Sequence, residues 1–197
     1  MSTLLGRRVL LRPLEPSDFS QWQEVRRRNV DWLTGWEPQR LLGQPDPVED
    51  VRAFTSRCSS RRREWQLGSA YGFGLFVDGR FSGEINLNSI QRGPFQNAYV
   101  GYWIDEARAG CGYVPEGLVV LMRYAFDELH LHRVQAAVVP RNSASRRVVE
   151  KLELRNEGTA ERYLEINGVW EDHIRFAFTS EDWEQRRDEL VAEWIGF

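Results

Sequence analysis

The chain has 197 residues, 42% hydrophobic and 28% charged, with a net charge of −3. That length suits one domain, the apolar share excludes a disordered chain, and no apolar run reaches the ~18 residues of a membrane span. The acidic balance argues against general nucleic-acid binding. Cys58 and Cys111 make no disulfide framework, and the first residues lack a basic stretch followed by an apolar one. The expected compartment is the cytoplasm. Of the 26 basic residues only Lys151 is lysine. A GC-rich genome explains that bias better than a phosphate-binding surface made of every arginine.

Arg7 to Leu14 reads as a strand, closed by Pro13 and Pro16. Ser17 is the expected N-cap of a helix with Phe19, Trp22 and Val25 on one face. After a loop rich in Gly and Pro, Asp46-Pro47-Val48-Glu49 signals the start of a second helix. Its apolar stripe is Val51, Phe54 and Cys58, which makes Cys58 a core residue. From Ala70 the period changes to two: Tyr71 to Val77 and Arg80 to Ile90 are strands around an Asp78-Gly79 turn, and Ala98 to Ile104 is the next. A helical pattern runs from about Pro115 to Leu129, then a strand from His132 to Val139 and a helix from Asn142 to Leu152. Asn167-Gly168 closes a hairpin of Arg162–Ile166 and Val169–Phe178, and a last amphipathic helix opens at Ser180. The expected fold is an α/β mixed sheet of about seven strands flanked by helices. Residues 1–179 form the domain, and a helix over 180–197 packs on it.

Two strand–helix junctions carry the candidate chemistry. The first, Asp105 to Tyr113, holds Gly110 and Gly112 ahead of a long helix. Glycines let a backbone approach a ligand, and the helix offers free N–H groups and a positive dipole end, which suit a pyrophosphate. A plain turn that needs glycine for its shape fits the same residues. A dinucleotide fingerprint fails because Pro115 stands where the third glycine belongs, and no Gly-Lys-Ser/Thr follows for a P-loop. The second junction, Pro140 to Arg147, has Asn142 as a natural N-cap and Ser145 three residues on. Both junctions fall at one edge of the sheet, where open α/β sheets bind ligands.

Val100-Gly101-Tyr102-Trp103-Ile104, Ala109-Gly110-Cys111-Gly112-Tyr113-Val114-Pro115-Glu116, Leu131-His132-Arg133-Val134, Asn142 to Leu152 and Asn167 to His173 follow one another in order. Together they resemble the GNAT acyl-CoA N-acyltransferase superfamily, and within it the RimJ/RimL branch of ribosomal-protein alanine N-acetyltransferases. The resemblance runs from Arg8 to Phe178. It implies a GNAT fold with mostly antiparallel strands, and acetyl-CoA as co-substrate with no metal. The acceptor would be a primary amine, first of all a protein N-terminus. It places the coenzyme on Ile104, Arg108, Ala109, Gly110, Cys111, Gly112, Tyr113 and Val114, with Asn142 on the pantetheine arm and Arg147 on the following helix.

Gly112 matches the central glycine of the family's pyrophosphate loop, while Ala109 stands at its Gln/Arg position, Val114 at its last small position, and Arg108 one residue early. Val149 stands where many members have the tyrosine that protonates the thiolate. Ser145 is the nearest hydroxyl, and the RimJ/RimL branch likewise uses a serine there. Glu153-Leu154 replaces the usual Gly-Phe, so a left-handed helix end would cost about 1 kcal/mol.

An amine attacks a thioester directly, which disfavours Cys111 as a nucleophile. A base helps if the amine is protonated. Glu84, with Asn86 and Asn88 on the same strand face, is the first candidate if that face lines a wet pocket; an exposed sheet face is the plainer reading. Glu165 on the later hairpin is the second. His130 and His132 are spaced like metal ligands but lack further ones, and are read as structural. Acceptors other than a protein N-terminus are a small amine such as an aminoglycoside or polyamine, or a protein lysine. A weakly active acyl-CoA-binding module is the alternative from another class. The expected assembly is a monomer or homodimer, without nucleic acid or membrane.

Overall fold

The computed structural model describes residues 2–41 and 43–196. Eight strands form one sheet in the order β1-β2-β3-β4-β5-β6-β8-β7. They are β1 (Leu4–Leu5), β2 (Val9–Arg12), β3 (Tyr71–Val77), β4 (Arg80–Gln91), β5 (Asn97–Ile104), β6 (Arg133–Val138), β7 (Arg155–Ile166) and β8 (Val169–Thr179). The strand beyond the expected seven is β1, a two-residue edge piece paired with β2 at Leu4–Leu11, too short to show a period. The β3–β4 turn has Asp78 at φ 52° and Gly79 at 72°, and the β7–β8 turn has Asn167 at 47° and Gly168 at 82°. These are the left-handed pairs that two-residue hairpins demand.

The helices are α1 (Phe19–Arg28), α2 (Val30–Thr34), α3 (Val51–Leu67), α4 (Tyr113–Arg123), α5 (Ser143–Lys151) and α6 (Ser180–Leu190). Two expected helix starts move, and α6 opens at Ser180 as expected. Asp18, not Ser17, makes the first cap: it reaches back to the N–H of Glu15 and pairs with Arg12 across a 3-10 turn. Asp46 closes a turn on the N–H of Val48, and Asp50 caps α3 by accepting from Arg52. Thr179 caps α6 in a reciprocal box with Asp182. The short α2 was not expected. At the end of α4 the helical path widens into a π-type turn over Tyr124–Glu128.

One face of the sheet carries α4, whose residues Val114 to Met122 are all buried. Gly117 sits where a Cβ would lie 2.5 Å from Ile85 Cδ1, so glycine there sets how closely α4 approaches the sheet. The same core takes Val149 and Leu152 of α5, and Trp183, Leu190 and Ile195 of the C-terminal segment. On the other face, Trp22, Val25, Phe54 and Cys58 of α1 and α3 pack on Phe76 and Phe81. Helix α5 keeps a left-handed end despite the missing glycine: Glu153 adopts φ 52°, and the N–H of Leu154 reaches the carbonyl of Val149 at 3.0 Å.

Every neighbouring pair of strands is antiparallel except β5 and β6. Those two pair only at Asn97–Arg133, Ala98–Val134 and Tyr99–Gln135. Beyond that point β5 stays with β4 as far as Ile104, and β6 stays with β8 as far as Val138. The sheet therefore opens into a wedge between two parallel strands.

Candidate active site

A wedge inside a sheet leaves two strand edges facing each other without a ladder between them. Backbone polar groups need partners, so such a gap suits an extended ligand with amides of its own. Because β5 and β6 are parallel, the 104–114 segment after β5 and the 142–147 segment after β6 meet at the same end of the wedge.

The end of β5 is clamped from the α1–α2 side. Trp32 Nε1 donates to the carbonyl of Ile104 at 3.1 Å, so that carbonyl already has a partner. Asn29 bridges the next two residues, donating to Asp105 Oδ1 at 2.8 Å and accepting from the N–H of Glu106 at 2.9 Å. Burial pushes the Asp105 carboxyl up, but its bonds from Arg28 and Asn29 outweigh this and hold it below the usual range.

The loop that follows has Gly110 at φ 77° and Gly112 at 84°, and Gly112 is the N-cap residue of α4. Cys111 is exposed, and its carbonyl accepts from Arg8 at 3.0 Å. Arg8 also lies over the Tyr113 ring. Val114 is buried and Ala109 half-buried. Arg108 comes within 3.8 Å of Asp78 in the β3–β4 turn. A Cβ on Gly112 would sit 3.3 Å from Arg8 and 3.6 Å from Trp194. The loop is thus a close-set cradle whose shape depends on glycine.

Across the wedge, Asn142 Oδ1 accepts from the N–H of Ser145 at 3.0 Å, which caps α5 and leaves the amide NH2 of Asn142 for a ligand. Ser145 is half-buried and Arg147 exposed. Tyr102 of β5 reaches over to this turn: its Oη lies 2.9 Å from Ser145 Oγ and 3.1 Å from the Ser145 carbonyl. Burial pushes the Tyr102 hydroxyl up to about 12. Sequence reasoning missed Tyr102, Arg8 and Trp32. Only for Tyr102 was there a signal, since a buried tyrosine hydroxyl must find a partner.

Beside the mouth of the wedge lies a pocket of about 370 Å³ lined by Val139, Pro140, Arg141, Trp170, Glu171 and Asp172. Arg141 pairs with Glu171, and its guanidinium lies 4.7 Å from the Trp36 ring centre. The N–H of Asn167 bonds the carbonyl of Glu37 at 2.8 Å. The segment after α2 thus meets the tip of the β7–β8 hairpin. Glu165, exposed on that hairpin, pairs in register with Trp170.

Glu84 lines only a narrow pocket of about 10 Å³, with Arg57, Arg61 and Asn86 among its walls. It is 3% exposed and sits under α1 and α3, where Oε1 accepts from Trp22 Nε1 at 2.8 Å and Oε2 from Arg57 at 2.5 Å. Burial pushes its carboxyl up, but the Arg57 charge and these two hydrogen bonds outweigh burial, so its pKa falls below the usual value. The raised pKa that a base near neutrality needs is not what the fold builds here. His132 pairs with Glu181 at 3.1 Å.

A wedge between parallel strands, a glycine-shaped loop at a helix N-terminus and an asparagine-capped helix opposite it make a cleft that suits an acyl-coenzyme transferase. The acetyltransferase (GNAT) domain profile matches residues 8–155, and the chain belongs to that family. It is 36% identical over 184 residues to YjcK of Bacillus subtilis, described as a probable N-acetyltransferase, covering 92% of this chain and 99% of that protein. It is 31% identical to the Escherichia coli [ribosomal protein uS5]-alanine N-acetyltransferase, over 89% of this chain and 90% of the relative. The structure of Mycobacterium smegmatis RimJ in complex with CoA-disulfide superposes with a TM-score of 0.87 at 31% identity, covering 98% of this chain and 92% of that one. The chain is an N-acetyltransferase of the RimJ/RimL type.

Proposed function

We propose that this enzyme transfers the acetyl group of acetyl-CoA to the N-terminal α-amine of a protein, with ribosomal proteins first among acceptors. The parting of β5 and β6 after Tyr99–Gln135 carries the coenzyme half of this reading. Acetyl-CoA supplies a thioester whose carbonyl an amine can attack. The pantetheine arm runs in the wedge, held by the free amide of Asn142 and the β5 edge near Ile104. The pyrophosphate rests on the amides of Gly110 to Val114. Arg147 is exposed on α5 for the outer phosphates, and Arg108 follows if it leaves Asp78.

The acceptor half rests on the open pocket lined by Arg141 and Trp170 to Asp172, which admits a chain end, and on the printed activity of the uS5 relative. An α-amine has a pKa of ~7.7–8.0 against ~10.4 for lysine, so a useful neutral fraction exists near pH 7 without a strong base. Glu165, exposed on the hairpin opposite Trp170, can take the released proton through water. Ser145 gives a proton to the departing sulfur.

Thiol release with a panel of N-terminal peptides, lysine peptides and small amines tests the reading. N-terminal peptides should give a kcat/KM at least tenfold above the others. A preference for lysine peptides, aminoglycosides or polyamines would overturn the acceptor assignment. No release with any amine would leave a coenzyme-binding module.

A further inference from the structure

The half-buried Tyr102 of β5 faces α5, and among the described residues its hydroxyl bonds only Ser145. The backbone carbonyl of Ser145, 3.1 Å away, would by itself satisfy a buried hydroxyl. The 2.9 Å approach to Ser145 Oγ is the contact that needs a further reason. A lone serine rotates among three staggered positions, and its hydroxyl is a weak acid. Here its backbone is already fixed by the Asn142 cap. Position 149 offers no hydroxyl, since it is a fully buried valine.

The geometry points to Tyr102 as a positioning residue that donates to Ser145 Oγ and so turns the serine proton toward the departing sulfur. This rests on the proposed role of Ser145. As the C–N bond forms and the C–S bond breaks, Ser145 hands its proton to sulfur. The Tyr102 hydrogen bond stabilises the charge left on Oγ. The proton lost by the amine returns to Ser145 through solvent, so both hydroxyls end as they began and the coenzyme leaves as a thiol. Tyr102 itself keeps its proton: burial holds it un-ionised up to about pH 12, which makes it a donor throughout the neutral range.

Tyr102→Phe keeps the ring and removes the hydroxyl. The first readout needs no acceptor: the thiol of CoA in the binary complex is titrated by the ultraviolet absorbance of its thiolate. A donor relayed through Ser145 stabilises that thiolate, so Tyr102→Phe should raise the bound thiol pKa by about half a unit or more, with Kd for CoA within about twofold. Ser145→Ala should raise it at least as far. The second readout is turnover: kcat should fall about tenfold or more with KM for acetyl-CoA nearly unchanged. Tyr102→Phe should then cost nothing further in a Ser145→Ala background. An unchanged thiol pKa in Tyr102→Phe, losses that multiply, or a loss of CoA affinity in step with kcat would each overturn the inference. Failure to acetylate N-terminal peptides would remove the acceptor assignment while leaving the thiol titration standing.

Discussion

Arg8 and Glu116 are joined at 2.8 Å, and through that pair the residue just ahead of β2 braces the loop that leads into α4. Glu116 lies in the first turn of α4, fully buried, and also accepts the N–H of Val9 at 3.0 Å and that of Arg8. Arg8 spends its remaining reach on the carbonyl of Cys111. The ion pair itself adds little, because Arg8 is 44% exposed. The backbone bonds matter more, since two N–H groups would lose their partner. Glu116→Ala should destabilise the fold by about 2–4 kcal/mol in denaturant titration, with a several-fold weaker Kd for CoA as the loop loses its brace.

Gly112 and Gly110 separate strain from blockade. Both have positive φ, so a side chain costs about 1 kcal/mol at either. Only Gly112 has close neighbours, Arg8 and Trp194. Calorimetric titration with CoA should show Gly112→Val at least tenfold weaker, which is about 1.4 kcal/mol. Gly110→Ala should lose much less. Equal affinity for wild type and Gly112→Val would remove the loop from the coenzyme site.

The paired junctions after β5 and β6 were legible because glycine loops and an Asn cap are local signals. The hairpins at Asp78-Gly79 and Asn167-Gly168 were legible for the same reason. The left-handed Glu153 was readable only through the resemblance. What stayed hidden depends on contacts across the chain. Arg8 meets Glu116 from 108 positions away, and Tyr102 meets Ser145 from 43. Glu84 shows the limit best. Its alternation with Asn86 and Asn88 gave the correct face, but periodicity could not say that α1 and α3 cover that face and supply Trp22 and Arg57. The true α3 cap was missed because Asp46-Pro47 and Asp50 both look like helix starts, and tertiary packing chose the second.

Glu153 carries strain that the sequence can relieve. A non-glycine residue at φ 52° pays about 1 kcal/mol. The 3.1 Å pair with Arg186 returns little, since Glu153 is 74% exposed. Glu153→Gly should raise stability by about 0.5–1 kcal/mol, seen as a higher Tm with unchanged kcat. A lower Tm would mean that the Arg186 pair outweighs the strain.

Glu84 decides between a structural carboxylate and a base. Its folded pKa lies below the ordinary value of a glutamate carboxyl. A depressed carboxylate stabilises the fold at any pH above its unfolded pKa, and that stability is lost as pH falls through the folded value. Wild type should therefore lose stability as pH drops below about 4.5, the unfolded reference. Glu84→Gln should lower stability at neutral pH, because Arg57 loses its charge partner, and should show a flatter acid slope. Its kcat/KM profile near neutrality should keep the wild-type shape. A base would behave in the opposite way: the limb near neutrality would vanish and turnover would drop by ~10²-fold. Preserved activity in Glu84→Gln would fit an acceptor that brings its own low-pKa amine, since lysine at ~10.4 would need a base that Glu84, held as a carboxylate by Trp22 and Arg57, is poorly placed to be.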